Sequence, residues 1–381
     1  MKKIKVYGIL VLCGMLSCGG TALQPQRALA AGSAANVSQT MQEGILQITV
    51  NAAAPGDGAA SKDSRLVVPT IQAALDEWSA RKAVSAVIYL QPGTYREKLV
   101  IRQPNLALIG MGKTPGDTRI VWNDAEGTLV RPEDGGDGTA AYKMECATIK
   151  LQREAKNFCA VNLSFINDFD TAAAREAKMK SPQAFALTDE ADQSSFWDCR
   201  FLGHQDTLFA NAGRQYYEGC YIEGDVDFIF GAGTAVFRSC ELHSLERAGA
   251  VKGYIAAPST LAENKGFLFD RCRLTAQLPA GSVKLGRPWH PSDETRPVDS
   301  CAVFRECQMG AHIAVDAWSS MKNKYAVFEP QDNRLFEYQS RGEGAVIHAG
   351  RRQLTAEQAK TAVPRLWLDG WKPAEPEVQL P

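Results

Sequence analysis

One short pattern recurs five times and limits the fold more than any other feature of this chain. It is an aromatic residue, two further residues, a cysteine, one residue, then an apolar side chain. It reads Phe196-x-x-Cys199-x-Phe201, Tyr217-x-x-Cys220-x-Ile222, Phe237-x-x-Cys240-x-Leu242, Phe269-x-x-Cys272-x-Leu274 and Phe304-x-x-Cys307-x-Met309. The steps are 21, 20, 32 and 35 residues. Repeats of this length, stretched where loops intrude, suit the coils of a parallel β-helix. Each coil contributes short strands, and equivalent positions stack about 4.8 Å apart on the next coil. Repeated cysteines also raise the question of zinc, but zinc ligation needs close C-x-x-C pairs, and the chain has none.

The remainder of the chain agrees with an all-β solenoid. Segments 86–95, 105–112 and 158–167 are β-branched and apolar runs bounded by turn residues. Helix is expected only near the ends. Residues 68–80 place Ile71, Ala74, Leu75 and Trp78 on one face behind Pro69, so they predict an amphipathic helix. Such a helix would cap the open end of the solenoid, whose unpaired edge invites aggregation. Residues 353–362 predict a terminal helix with Thr355 as N-cap and Gln358 three positions on. Residues 131–141 read as a loop over the solenoid, and no linker divides the chain.

The N-terminus reads as a targeting segment. Lys2, Lys3 and Lys5 precede the apolar run 6–16, and Ala28-Leu29-Ala30 is an A-x-A cleavage pattern. The expected organisation is a signal peptide over 1–30, a flexible stretch over 31–44 and one β-helix domain over 45–381. A lipoprotein anchor at Cys18 is the alternative. Export, to the periplasm or the exterior, puts the other eight cysteines where disulfides can form. No other apolar stretch approaches the about 20 residues of a membrane span. With 42 basic and 43 acidic residues, net charge −1, nothing attracts nucleic acid.

Candidate chemistry lies in 221–231, where Glu223, Asp225 and Asp227 interrupt a β-branched and aromatic run. A buried carboxylate is costly unless paired. Stepping back by 22 residues from Asp227 reaches Gln205, and again Gln183. These three are expected in one column. Asp206, offset by one, would face away unless a bulge or strand end falls at Gln205-Asp206. Two amides and two carboxylates suit acyl transfer. One carboxylate attacks a carbonyl carbon, amide N–H groups hold the oxyanion, and a protonated carboxyl serves the leaving group before activating water. Arg287 offers a fixed cation to keep the nucleophile ionised, and Trp289 a plane for a sugar ring.

Five segments resemble the signature of the pectin methylesterases. They are GTYRE (93–97), QAFAL (183–187), QDTLF (205–209), DFIFG (227–231) and LGRPW (285–289), in the family's order. YIAAPST (254–260), 334–345 and 351–359 resemble the bacterial secreted branch. The resemblance implies a right-handed parallel β-helix that hydrolyses galacturonate methyl esters in pectin, without metal or cofactor. It makes Asp227 the nucleophile, Asp206 the general acid and then base, Gln205 an oxyanion donor and Gln183 a positioning group. Arg287 would hold Asp227, with Trp289 and Phe230 lining the sugar site. Phe209, placed with them at the sugar site, stands where the family usually has Tyr. Val315-Asp316-Ala317-Trp318 replaces the family's Trp-Asp-x-Met near the groove. Cys220 and Cys240 lie one coil apart, match a bridge in the bacterial branch, and are expected as a disulfide.

Other residues read as structural. Glu223 and Asp225 match no signature position and read as solvated turn acids, while Tyr95 and Glu97 read as parts of the first coils. The histidines 243, 290, 312 and 348 form no cluster, so neither a metal site nor a Ser-His-Asp triad is expected. A monomer is expected. Competing functions are a pectate lyase or polygalacturonase on the same solenoid, a thioesterase or other esterase, and a surface solenoid that binds carbohydrate without catalysis.

Overall fold

A computed structural model describes residues 41–42, 45–53, 66–128 and 145–374. The signal segment and the 131–141 loop lie outside the described residues. Of the stretch expected to be flexible, Met41 and Gln42 form a short strand paired antiparallel with Leu46 and Ile45.

Three stacked sheets of 12, 8 and 7 strands run along the solenoid among the described residues, and their pairs are parallel apart from that first one. The repeat noted in the sequence marks one corner of successive coils. Phe196, Tyr217, Phe237, Phe269 and Phe304 stand in register on the 12-stranded sheet. Their rings stack at 4.8, 4.6, 4.8 and 4.3 Å, within 5–15° of parallel. All five are buried, and burying such a ring stabilises by about 1.5–3 kcal/mol. The ladder therefore fixes register as well as adding core, because a one-residue slip would turn every ring outward.

The cysteines form a second column beside it, and here one expectation fails. Cys220 and Cys240 are free thiols, as are the other six described cysteines. The Cys220 Sγ lies 3.5 Å from the Phe196 carbonyl and the Cys240 Sγ 3.4 Å from that of Tyr217. Cys272 and Cys307 repeat the contact on Phe237 and Phe269, at 3.2 and 3.3 Å. In-register neighbours on parallel strands carry parallel Cβ vectors at the strand spacing, wider than the about 3.8 Å between Cβ atoms that a disulfide prefers. These four thiols direct their S–H to the preceding coil instead, while Cys199 bonds the Trp197 carbonyl of its own coil.

The N-terminal cap forms as expected. Helix α1 (Ile71–Arg81) buries Ile71, Ala74, Leu75 and Trp78, with Thr70 as N-cap. Glu97 adds a second cap from the first coils, accepting from the Ile71 and Gln72 N–H groups at 2.9 and 2.8 Å. The Tyr95 hydroxyl bonds the Gln91 and Val50 carbonyls. Both residues are structural, as read. A further helix, α2 (Thr171–Glu176), starts at Asp170, whose side chain accepts from the Ala173 N–H. The terminal helix is shorter than expected. Its capping box at Thr355 and Gln358 forms, but α3 spans only Ala356–Ala359 before Pro364 opens a second turn, α4 (Pro364–Trp367).

Candidate active site

The site lies on the seven-stranded sheet, where the strands Leu187–Asp189, Leu208–Ala210, Val226–Gly231, Gly253–Pro258 and Val283–Gly286 are successive neighbours. Its geometry depends on a change of register. Leu187 pairs with Leu208, and Leu208 with Ile229, each a 21-residue step. Just upstream, the Ala184 N–H bonds the Gln205 carbonyl at 3.3 Å, which keeps Gln183 level with Gln205. The difference is absorbed by a bulge, since the N–H groups of Ala186 and Leu187 share the Thr207 carbonyl at 2.8 and 3.3 Å.

Asp227 therefore does not lie under Gln205, as the 22-residue spacing suggested. In the 21-residue register it lies under Asp206, and the Asp206 N–H bonds the Val226 carbonyl at 3.1 Å. The bend expected at Gln205-Asp206 is present as a turn ending before Leu208. Both aspartates adopt left-handed backbone, with φ of 67° at Asp206 and 52° at Asp227. Such values are uncommon outside glycine and accumulate where side-chain placement matters.

Arg287 grips Asp227 with two bonds, Nε to Oδ1 at 2.9 Å and Nη2 to Oδ2 at 2.6 Å. Its guanidinium also lies 4.2 Å over the Tyr254 ring, a cation–π contact the sequence reading missed. Gly286 permits this approach, because a Cβ there would meet the Ala256 carbonyl oxygen at 2.2 Å. The Asp227 side chain is 8% exposed and that of Arg287 23%, so the pair is shielded but reachable.

Asp206 differs in environment. Loss of water around its carboxyl pushes its pKa well above the usual carboxylate value, and the negative charge of Asp227 adds to this. The two carboxyls thus sit in different surroundings, Asp227 paired with a guanidinium and Asp206 desolvated beside it, so a proton is favoured on Asp206.

Trp289 is half-buried above Phe230 and Phe209, with ring centroids 5.7 and 6.4 Å away. Phe209 and Phe230 stack on each other at 4.3 Å and are only 4% and 3% exposed. They form the floor under the tryptophan instead of the sugar-facing surface expected of them. A polar cavity of about 540 Å³ adjoins Trp289, lined by Asn211, Arg214, Thr234, Ser259 and Glu294 among others. Asp316 pairs with Lys284, and Trp318 is buried against Phe304, so 315–318 brace the strand that leads to Arg287.

Asp225 overturns its reading as a solvated acid. It has no exposed surface. Arg175 on α2 donates to its Oδ2 at 2.7 Å, and Arg247 approaches Oδ1 at 3.4 Å. Burial alone would push its pKa up, but the His204 imidazole 3.8 Å away, the hydrogen bond from Arg175 and the two guanidinium charges outweigh this and hold it below the usual value. Glu223 is half-buried and accepts from the Tyr221 hydroxyl at 2.8 Å.

A carboxylate gripped by a guanidinium, a second carboxyl in register with it and an aromatic shelf nearby fit a carbohydrate esterase on a parallel β-helix. The chain belongs to the pectinesterase family, whose model matches residues 57–361. It is 37% identical to Pectinesterase A of Dickeya chrysanthemi over 76% of this chain and 84% of that protein. It is similar to the solved pectin methylesterase PemA from Erwinia chrysanthemi, with a TM-score of 0.76, 34% identity, and coverage of 86% of this chain and 98% of that one. A pectin methylesterase solved in complex with a hexasaccharide matches with the same TM-score, identity and coverage.

Proposed function

We propose that this chain hydrolyses the methyl esters of galacturonate units in pectin, releasing methanol and leaving pectate. The observation that carries the residue assignment is the stacking of Asp206 on an Asp227 that Arg287 holds by two hydrogen bonds. An Asp227 oxygen attacks the ester carbonyl carbon, and Gln205 donates from its amide to the developing oxyanion. The C–O bond to methoxide breaks as Asp206 gives its proton to the departing oxygen, leaving methanol and an anhydride between Asp227 and the sugar. Asp206, now a carboxylate, takes a proton from water, and the hydroxide attacks the acyl carbon. Asp227 departs as carboxylate and Asp206 is protonated again. The free galacturonic acid then ionises.

Trp289 offers the plane on which the sugar ring rests, and the polar cavity beside it gives the polymer room to extend. Gln183 lies level with Gln205 and positions the intermediate. No helix among the described residues is long and apolar enough to cross a membrane. Export through the basic and apolar N-terminus belongs to the same proposal, as does action as a monomer.

Methanol release from methylated homogalacturonan, followed from pH 4 to 10, tests the function. Release matched by new carboxylate groups supports it. An unsaturated product or new reducing ends without methanol would instead indicate a lyase or a glycosidase.

A further inference from the structure

Asp225 is two residues from the proposed nucleophile and Gln205 is adjacent to the proposed acid, yet neither touches the other directly through any bond described above. Arg247 joins them. Its Nη1 donates to the Gln205 Oε1 at 3.0 Å and lies 3.4 Å from Asp225 Oδ1. The other oxygen of Asp225 is taken by Arg175 at 2.7 Å, with the His204 Nδ1 at 3.8 Å. The Val226 N–H also donates to Asp225 Oδ1, at 2.7 Å.

We propose that Arg247, anchored by the buried Asp225, is a positioning residue that locks the Gln205 amide with its Nε2 turned toward the reacting acyl group. This rests on the reading of Gln205 as oxyanion donor.

Donor and acceptor chemistry sets the orientation of the amide. A guanidinium has five N–H donors and no acceptor. Only the amide oxygen can face it, so the NH₂ group must point the other way. Without that constraint an amide can rotate by half a turn and present its oxygen, which repels an oxyanion. Gln183 supplies the contrast, because its Oε1 is buried with no hydrogen-bond partner among the described residues. Nothing equivalent orients its amide. The guanidinium charge also polarises the Gln205 amide and strengthens its N–H as a donor. Asp225 is needed because Arg247 projects from the surface segment after Ser244, with 27% of its side chain exposed. A buried acceptor limits the freedom of a long side chain. Arg175 balances the anchor from helix α2, so Asp225 can serve Arg247 without remaining uncompensated.

The test is a double-mutant cycle on Gln205→Ala and Arg247→Met, read as kcat and KM for methanol release, with Arg247→Lys as the conservative variant. Asp225 stays intact, and far-UV circular dichroism confirms folding of each protein. Gln205→Ala is expected to lower kcat by about 10²–10³-fold. Arg247→Met is expected to lower kcat about 10- to 100-fold, with KM changed less than about twofold and with little further loss in the Gln205→Ala background. Arg247→Lys should recover most of the loss. Multiplicative losses in the double variant would overturn the proposal. So would a raised KM with unchanged kcat, which would mark Arg247 as a contact for the carboxylates of the polymer. An unchanged kcat in Gln205→Ala would overturn the assignment of Gln205 itself, and the inference with it.

Discussion

Arg287 holds both oxygens of Asp227 at 2.9 and 2.6 Å while the Asp227 backbone sits at a φ of 52°. An uncommon backbone conformation and a bidentate ion pair at one residue turn a carboxylate out of an otherwise apolar strand. Replacing Arg287 with Met should lower kcat at least 10³-fold, since the proposed nucleophile loses both its charge partner and its orientation. Steady-state methanol release measures this, and a loss below tenfold would contradict the role given to Arg287.

Asp206 links catalysis to stability. Its pKa is raised in the folded protein by burial and by Asp227. In the unfolded chain it ionises near the ordinary carboxylate value. Between those two values unfolding releases a proton, so this group removes stability as pH rises. Asp206→Asn should therefore abolish turnover yet raise the midpoint of thermal unfolding at pH 7, by about 2 °C or more, with the gain shrinking toward pH 4. Calorimetry across that range checks it. A lower midpoint at pH 7 would show that Asp206 is held ionised.

Asp225 carries the opposite sign. Its pKa is lowered, so its contribution is present above the ordinary carboxylate value and is lost as pH falls through the folded value. Asp225→Ala should cost about 2–4 kcal/mol at pH 7, below the usual range for a broken buried pair because its arginines are partly exposed. Denaturant titration measures the difference, which should fade in acid. A cost below about 0.5 kcal/mol would return Asp225 to the status of a surface acid.

Trp289 rests on a closed aromatic floor, so its truncation should spare the fold and weaken substrate. Trp289→Ala is expected to raise KM about 10- to 100-fold with a smaller effect on kcat. Inhibition by unmethylated oligogalacturonate, compared between the two proteins, checks the binding component.

The thiol column predicts a count. Denatured but unreduced protein beginning at Ala31 should titrate eight thiols, matching the eight free cysteines. Six would restore the expected bridge.

The sequence carried the coil repeat, the capping helix and the pairing of Asp227 with Arg287, because each is marked by local spacing or by a signature segment. The exact column was not legible. A bulge at Ala186-Leu187 changes the step from 22 to 21 residues, and a single inserted residue leaves no trace in composition. Asp225 was misread because its partners, Arg175 and Arg247, lie 50 and 22 residues away, and only the coiling of the chain brings them together. Tyr254 was missed for the same reason. Helix α2 did leave a signal, in Asp170 followed by three alanines within TAAARE, but six residues are too few for a periodic face. The cysteines gave the correct column and the wrong bond, since spacing reports adjacency and not the direction of Cβ vectors.

The proposed reaction turns on attack by the Asp227 carboxylate on a pectin ester. The most direct measurement compares methanol release from methylated homogalacturonan by the wild-type protein and by Asp227→Ala under identical conditions. Steady release by the first and at least a 10³-fold lower rate in the second are expected, with both proteins folded. Comparable rates in the two proteins, or no methanol from the wild type, would contradict it.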